Sequence, residues 1–274
     1  MRRTNPTAGL PSGTAKLIKV LTIMAAFTLL MSLLCSVWYS MSEKITATLN
    51  LDEVHMIQLE EPEPGDPIAI MHTNLGDMTY ILYPQECPKA VENFISLAQS
   101  GYYDQTYVFR VEQEIFFSAG SPTTEGTLTE EAIQQPQELV ERELTPNLWP
   151  LRGALCALTT KTDANFWQLL TKTQKYYNGS RFLVVDTIEM TEEIKTGLLE
   201  GNHEENPVAN AFIEHGGIPN YSQQLTIFGQ LYEGFEVLDA ITEAKLQGEE
   251  NAMRPVEDIV ITSVEISEFQ PKTE

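Results

Sequence analysis

The residue types that most often carry chemistry are few in this sequence and stand apart from one another. Its four histidines are scattered, and none has a Cys, His or Glu at the spacing of a metal site. They are His55, His72, His203 and His215. The G-x-S-x-G serine elbow, the phosphate-binding P-loop and a G-x-G-x-x-G turn after a strand do not occur. The sequence therefore predicts no metal site and no cofactor, and it argues against the commonest hydrolases, NTPases and dinucleotide enzymes.

The charge of the chain changes sign near the N-terminus. The 274 residues include 17 Lys and Arg against 39 Asp and Glu, which gives a net charge of −22. The first 19 residues nevertheless contain basic residues and no acidic residue. The basic residues are Arg2, Arg3, Lys16 and Lys19. The acidic remainder has no cluster of Lys and Arg that could neutralise phosphates, so a general nucleic-acid binder is excluded.

An uncharged apolar run follows the basic residues, at 20–38. As a helix it would span roughly 28 Å, close to the hydrocarbon thickness of a bilayer. The basic flank predicts that the N-terminus stays in the cytoplasm. A cleaved signal peptide is the alternative, but its apolar core usually has about 7–15 residues and is followed by an Ala-x-Ala site. That site does not follow here, so we expect an uncleaved signal anchor.

The chain then divides into five regions. They are a basic cytoplasmic segment at 1–19, a transmembrane signal anchor at 20–41, an acidic, Pro-containing stalk at 42–66, a folded domain at 67–269 and a C-terminal tail at 270–274. The expected location is the cell membrane, with a single pass and an extracytoplasmic C-terminal domain.

Two cysteines fall in the predicted extracytoplasmic domain, where oxidation is permitted. Cys87 and Cys156 could form a disulfide, or they could pack as two buried thiols. Their separation in sequence does not fix the distance between them, so both alternatives stay open.

Apolar alternation and turn residues predict a mainly β domain. Residues 68–83 have the pattern of a β-hairpin with a turn at 74–77, and a helix is expected from Pro88 to the stop at Gly101. Further strands are predicted at 107–111, 115–119, 153–159, 181–185 and 258–266. Strands outnumber helices and occur at both ends, which favours an antiparallel barrel or sandwich with a few helices.

Seven segments, taken in order, resemble the cyclophilin family of peptidyl-prolyl isomerases. They are IAIMHTNLGDMTYILYP, CPKAVENFISLAQSGYYD, VFRVEQEIFFSAGSP, RGALCAL, NGSRFLVV, HGGIPNYSQQLTIFGQLYEGFEVLDAI and VEDIVITSVEI. The resemblance implies a closed eight-stranded antiparallel barrel capped by two helices. Two segments, at about 160–177 and 186–214, are longer than a minimal member needs. We expect both to be helical insertions that flank the substrate groove.

The resemblance also implies a catalytic residue, Arg110, which stands at the family's catalytic arginine. An Xaa-Pro bond rotates slowly because amide resonance sets a barrier of about 18–20 kcal/mol. A guanidinium that hydrogen-bonds the prolyl nitrogen of the twisted amide would lower that barrier. The alternative for Arg110 is an ordinary surface ion pair with one of the many carboxylates.

Eight other positions align with the family's substrate groove, and none of them has the family's residue. They are Ile115, Phe116, Ser118, Arg181, Leu183, Asn220, Tyr221 and Leu225. A shift of one residue could bring Phe116 or Phe117 into the pocket position. Most of the replacements are apolar, so the groove could still hold a proline ring. The family's glutamines and histidine are lost, and Arg181 could repel Arg110, bind an acidic partner or lie on the solvated surface.

Two functions follow from the resemblance. The first is a peptidyl-prolyl isomerase that assists folding of exported proteins, with activity reduced by the replaced groove residues. The second is a non-catalytic module that binds extended or Pro-containing segments. In both cases the expected partners are Pro-containing segments of exported or surface proteins, and the membrane through the N-terminal helix.

Overall fold

The computed structural model describes residues 54–127, 139–171, 173–200, 206–247 and 253–271. The predicted signal anchor and the basic segment before it lie outside these residues. Among the residues that are described, no helix combines the length and the apolar character needed to cross a membrane.

Ten strands, all paired antiparallel, form a single sheet in the described residues. They are β1 (Pro67–Thr73), β2 (Gly76–Leu82), β3 (Thr106–Tyr107), β4 (Arg110–Glu112), β5 (Phe116–Ala119), β6 (Val140–Glu141), β7 (Ala154–Asp163), β8 (Lys175–Val185), β9 (Thr226–Glu233) and β10 (Val260–Glu268). The order along the sheet is β3-β10-β1-β2-β9-β7-β8-β5-β4, and β6 pairs with β8. The prediction of a mainly β fold is confirmed.

The sheet is a curled half-barrel of antiparallel strands, and the described residues do not show the closed eight-stranded barrel that the resemblance implied. Residues 106–112 are divided into β3 and β4, and the Phe109 N–H between them donates to the Ser118 carbonyl at 3.0 Å. The short β6 adds a further strand to the count. An isolated bridge, in which the Tyr107 N–H donates to the Ser121 carbonyl at 2.8 Å, brings the two ends of the sheet together.

The first and last strands of the domain are neighbours. Pro67 pairs with Glu268 at one end of the β1–β10 ladder, and Thr73 pairs with Ile261 at the other. On its other side β1 pairs with β2, as the predicted hairpin requires. The two ends of the domain sequence therefore form adjacent strands, which lie near one end of the sheet order.

Five α-helices and two short 3₁₀ turns accompany the sheet in the described residues. The helices are α1 (Pro88–Gln99), α2 (Phe166–Thr171), α3 (Glu192–Glu200), α4 (Pro207–His215) and α5 (Phe235–Thr242), and the turns are Ile57–Leu59 and Pro219–Tyr221. Proline suits the first position of α1 because its fixed φ matches the helix and no N–H is lost there. Phe94 of α1 packs on Tyr103 and Phe228, with ring centroids 5.1 and 5.2 Å away.

The first predicted insertion, 160–177, is not mainly helical. β7 and β8 continue through it as a paired hairpin as far as Asp163 and Lys175, and only the six-residue α2 at the end is a helix. Threonines and tyrosines in the two strands, such as Thr162 opposite Tyr176, favour the extended pairing. The prediction of a helical insertion was therefore wrong for most of this segment.

The second predicted insertion, 186–214, does contain helices, α3 and α4. The Asn206 side chain caps α4 by accepting from the N–H groups of Val208 and Ala209, at 3.1 and 3.2 Å. Buried residues of α4 pack with Trp149 and Leu151 in a second apolar cluster, separate from the main core.

The end of the predicted stalk packs on the domain. Gln58 is buried, and its amide donates to the Trp149 carbonyl at 3.0 Å and to Gln230 Oε1 at 2.8 Å. Gln230 lies in β9 and pairs with Ala154, the first residue of β7. The chain thus enters the domain beside the beginning of β7.

Candidate active site

Three neighbouring strands, β4, β5 and β8, bring the predicted catalytic arginine next to several groove residues. In the register of these strands Arg110 pairs with Ser118, and Ser118 pairs with Leu183. Side chains in paired positions share a face of the sheet, and so do residues two apart in one strand. Phe116 and Arg181 therefore lie on the same face. We call this set of five residues the groove face.

The opposite face of the same strands points into the main core. Val111, Phe117 and Val184 occupy adjacent paired positions there, and each is completely buried. The alternation of the strand places Phe116 on the groove face and Phe117 in the core. Of the two phenylalanines that the sequence left open for the pocket, the structure therefore places Phe116 on the side of Arg110.

The Arg110 guanidinium is held by an ion pair and an aromatic ring. Its Nη2 lies 3.2 Å from Glu112 Oε2, and its Cζ lies 5.5 Å from the centroid of the Phe116 ring. The side chain is about half exposed, at 48%. An exposed ion pair of this kind contributes at most about 1 kcal/mol, so exchanging Glu112 for a substrate contact costs little. The ion pair that was the alternative reading of Arg110 is present, and it leaves the guanidinium accessible.

Beside Arg110 the groove face is largely apolar and closely packed. Phe116 and Leu183 are nearly buried, and Ser118 between them is 2% exposed. Ile115 lies in the turn between β4 and β5, where its carbonyl accepts from the Asp186 N–H at 2.7 Å. This arrangement sets a closely packed apolar floor beside the hydrogen-bond donor Arg110. It lacks a long polar side chain at Ser118.

Arg181 is neither an ordinary surface arginine nor free to bind a partner with all its donors. Its Nη1 donates to the Gly126 carbonyl at 2.7 Å, and burial lowers the pKa of its guanidinium. Gly126 has φ of +72°, and a Cβ there would overlap the Phe109 ring. Arg181 and Phe109 together hold the loop that contains Gly126, and the replaced residues of the family pattern thus serve packing here.

The remaining three predicted groove residues lie on another segment, between α4 and β9. Asn220 and Tyr221 are exposed, and the Asn220 carbonyl accepts from Gln224 Nε2 at 2.6 Å. Leu225 is half-buried and packs against the main core. Within the described residues, the hydrogen bonds, ion pairs and ring contacts connect none of the three to Arg110.

Two residues near the groove were not identified from the sequence. Glu112 is the partner of Arg110, and its position two residues further along a strand was a usable signal because such residues share a face. Arg142 lies 4.1 Å above the Tyr176 ring and donates to the Gln224 carbonyl at 2.9 Å. It joins β8 to the segment of Tyr221, a long-range contact that local sequence does not reveal.

Both cysteines of the domain are free thiols buried in the core. The Cys87 thiol donates to the Ile227 carbonyl at 3.2 Å, and Ile227 is also the strand partner of Cys156. Burial raises the pKa of Cys87 to about 12 and that of Cys156 further. The disulfide that the sequence left open is not formed in the structure. No group of three or more His, Cys, Asp or Glu in the described part of the chain could hold a metal ion.

Comparison with known proteins agrees with this geometry. The family model of the cyclophilin type peptidyl-prolyl cis-trans isomerase/CLD matches residues 68–266. A protein of Staphylococcus saprophyticus, provisionally named a peptidyl-prolyl cis-trans isomerase, is 35% identical over 212 residues, which are 77% of this chain and 98% of that protein. A Staphylococcus aureus protein with the same provisional name is 32% identical over 76% of this chain and 96% of its own length. The chain belongs to the cyclophilin-type peptidyl-prolyl cis-trans isomerase family.

A solved structure shares the fold at lower sequence identity. It is a Cryptosporidium parvum cyclophilin-type peptidyl-prolyl cis-trans isomerase, crystallised in the presence of the dipeptide Ala-Pro. It superposes with a TM-score of 0.52 and 22% identity, over 73% of this chain and 98% of the other. The curled sheet with its helices is therefore the cyclophilin fold. The family model and the named relatives give the enzyme class, that of a peptidyl-prolyl isomerase.

Proposed function

We propose that this protein is a membrane-anchored, extracytoplasmic peptidyl-prolyl isomerase that assists the folding of exported proteins. The observation that carries the proposal is the position of Arg110, whose accessible guanidinium lies beside Phe116 and opposite Ser118 and Leu183. Membership of the cyclophilin-type family supports the reaction. The basic segment and apolar run at the N-terminus support the location.

Arg110 would act on the prolyl nitrogen, which is the amide nitrogen of the Xaa-Pro bond and a member of the proline ring. As the amide twists, the nitrogen lone pair is no longer shared with the carbonyl and becomes a hydrogen-bond acceptor. A donor that binds it only then stabilises the transition state more than the ground state, and each ~1.4 kcal/mol of this difference gives tenfold in rate. The ring would rest on Phe116 and Leu183. Glu112 would keep the guanidinium over the groove until substrate arrives.

We expect the activity to be lower than that of a family member with the complete site. The resemblance implies glutamines at the positions of Ser118 and Arg181. A serine hydroxyl is too short to orient a substrate from the floor of the groove, and Arg181 is engaged with Gly126. Loss of such orienting groups allows the reacting atoms to move, which slows catalysis without abolishing binding.

The test is exchange between cis and trans Xaa-Pro in short peptides, measured by NMR with the full-length protein in detergent. The wild type should accelerate exchange, and Arg110→Ala should not. A matched control is Lys195→Ala, because Lys195 also pairs with a carboxylate, Glu192 Oε1 at 2.8 Å, but lies on the helix α3. Equal activity of wild type and Arg110→Ala would contradict the proposed mechanism.

A second candidate is a non-catalytic module that binds Pro-containing segments. The observation in its favour is the replacement of every groove residue except the arginine, with Asn220 and Tyr221 exposed on a separate segment. In the same NMR experiment this function predicts shifts or line broadening of the peptide without faster exchange. Arg110→Ala would then leave peptide binding nearly unchanged.

The proposed location has its own test in cells. Leu75 is 44% exposed in the turn after β1, so a Leu75→Cys variant should react with a membrane-impermeant maleimide in intact cells. This variant and a Ser12→Cys variant are both made in a Cys35→Ala background, which removes the cysteine of the apolar run. The remaining native thiols, Cys87 and Cys156, are buried and give little background. The Ser12→Cys variant should be labelled only after the membrane is permeabilised. Labelling of both variants only after permeabilisation would contradict an extracytoplasmic domain.

A further inference from the structure

The β7–β8 hairpin ends in an apolar tip that nothing in the described structure covers. Its four large side chains on α2, here called the arm tip, are Phe166, Trp167, Leu169 and Leu170, which are 70%, 69%, 57% and 38% exposed. The Phe166 and Trp167 rings touch each other, with centroids 5.5 Å apart. Contiguous exposed apolar side chains of this size mark interaction sites more often than ordinary surface.

The arm tip has a defined local structure. Asn165 Oδ1 accepts from the Gln168 N–H at 2.8 Å, and Gln168 Oε1 accepts from the Asn165 N–H at 2.9 Å. These reciprocal bonds form a capping box, which fixes the start of α2. The strands below it stay paired as far as Asp163 and Lys175. The apolar side chains are therefore held out on a defined support.

One strand connects the tip to the proposed groove. β8 contains Arg181 and Leu183 on the groove face, and it continues in the other direction to Lys175 at the base of the tip. At about 3.3 Å per residue, the distance along the strand from Leu183 to Lys175 is about 26 Å. An extended polypeptide that has its proline in the groove would cover this distance with about eight residues.

The tip points away from the place where the chain enters the domain. Gln58 bonds to Gln230, which pairs with Ala154 at the beginning of β7, whereas the tip follows Asp163 at the end of the same strand. The tip and the point where the described chain enters the domain are therefore at opposite ends of β7.

The charge around the tip differs from that of the rest of the protein. The sequence from 160 to 177 contains Lys161, Lys172 and Lys175 with Asp163 as the only acid, in a chain with a net charge of −22. Lys161 pairs with Asp163 at 3.6 Å and Lys175 with Glu141 of β6 at 3.0 Å, so the charges here nearly balance and repel acidic polypeptides less than the rest of the acidic protein does. The tip therefore fits an apolar segment whose neighbouring residues are neutral or acidic.

We propose that the arm tip is a second client-binding site, which holds an extended apolar segment of an unfolded polypeptide while a proline nearby in that chain occupies the groove. The proposal rests on the proposed function and defines its substrate class as unfolded polypeptides rather than short peptides. Binding at the tip raises the local concentration of the client's prolines at Arg110, which improves affinity without a new contact in the groove.

The experiment compares two substrates with full-length protein in detergent. One is a short Pro-containing peptide that fits the groove alone, and the other is an unfolded protein whose refolding is limited by prolyl isomerisation. The Phe166→Ser/Trp167→Ser variant should keep the activity on the peptide and lose at least about fivefold in kcat/KM on the unfolded protein, through KM. The control Leu75→Ser/Val256→Ser removes two exposed apolar side chains outside the arm and should leave both activities unchanged.

Binding is measured separately, so that the proposed function and the arm can fail independently. The probe is reduced, carboxymethylated α-lactalbumin, a permanently unfolded chain, added to proteins in an Arg110→Ala background. Weaker binding by the tip variant than by the Leu75→Ser/Val256→Ser control supports the arm even if isomerase activity is absent. Equal binding overturns the proposal. So does a tip variant whose altered property is self-association or binding to phosphatidylglycerol vesicles, with unchanged binding of the unfolded chain.

Discussion

The two faces of β4, β5 and β8 carry residues with different roles. On the core face, Val111, Phe117 and Val184 are completely buried and apolar. On the groove face, one residue away at each position, Arg110 is the single match to the family's site, and its neighbours are replaced. Because strand residues alternate between faces, a side chain on the groove face can be replaced without changing the side chains that pack in the core. Residues that stabilise the fold and residues of the candidate site therefore alternate along the same strands.

The same contrast explains why the fold is easier to establish than the activity. The core face contributes to stability through burial of large apolar side chains, which is insensitive to what lies across the sheet. The groove face depends on a few polar groups at defined distances, and each replacement changes the chemistry directly. The predictions below test this division from the largest expected effect to the smallest.

Truncation on the core face should cost the most stability. Phe117→Ala removes a completely buried ring and should lower the free energy of unfolding by about 3–5 kcal/mol, measured by urea denaturation. Tyr221→Ala is the comparison, because Tyr221 is 42% exposed and its truncation should cost less than about 1 kcal/mol. Similar losses in the two variants would contradict the assignment of Phe117 to the core.

Truncation of Arg110 should lower the activity strongly and the free energy of unfolding only slightly. Arg110→Ala should reduce prolyl isomerisation by about 10²-fold or more, since it removes the donor for the twisted amide. Its effect on the free energy of unfolding should stay below about 1 kcal/mol, because the side chain is half exposed and its ion pair is weak. Paired NMR exchange and urea denaturation check both values. A large loss of stability would show that the groove face also supports the fold.

Glu112 should act through Arg110. Glu112→Gln keeps the size of the side chain and removes the charge that pairs with the guanidinium at 3.2 Å. We expect kcat/KM to fall by about three- to fivefold, mainly through KM, because the guanidinium loses its fixed position before substrate replaces the ion pair. Glu141→Gln, which removes the partner of Lys175 on the arm, should leave activity on short peptides unchanged. A rise in rate on Glu112→Gln would instead mean that the ion pair competes with substrate.

The thiols of the core should be almost unreactive in the folded protein. Burial raises the pKa of Cys87 to about 12, so the protonated form persists in the folded state at pH values where an unfolded thiol ionises. At pH 8 only about one such thiol in 10,000 would be ionised. In a Cys35→Ala background, iodoacetamide should modify Cys87 and Cys156 only after unfolding, as mass spectrometry would show. Rapid modification of the folded protein would contradict the burial of Cys87.

Because the raised pKa favours the folded state with the thiol protonated, its contribution to stability also has a direction. It is fully present below the unfolded thiol's pKa of about 9 and is lost as the pH rises towards 12. The Cys87→Ala variant should lose less stability than the wild type across that alkaline range, in urea denaturation at fixed pH values.

Local signals in the sequence were sufficient for some elements and not for others. The hairpin of β1 and β2 and the helix α1 depend on neighbouring residues, such as the turn before Gly76 and the proline that starts α1, and both were predicted. The segment 160–177, which contains the arm tip, was predicted as a helical insertion because Phe166, Leu169 and Leu170 have helical spacing. Its strand pairing, for example Thr162 opposite Tyr176, joins residues across the hairpin and was not visible locally.

The candidate site shows the same limit. Arg110 was found because the resemblance supplied its position, and Phe116 could be assigned to the groove only when the register with β8 was known. Arg181 depends on the Gly126 carbonyl in a distant loop, a contact that no spacing rule contains. Residue identity thus predicts which groups are present, whereas tertiary contacts decide which of them remain free.

The pairing of the first and last strands sets the order in which the domain can be completed. During synthesis β1 emerges long before β10, so one side of β1 has no ladder partner until residues 260–268 are available. Ladders between such distant segments form slowly, because a long loop must close before they stabilise anything. The sheet of this protein, which we propose assists the folding of other chains, can therefore be completed only after its own last strand has been synthesised.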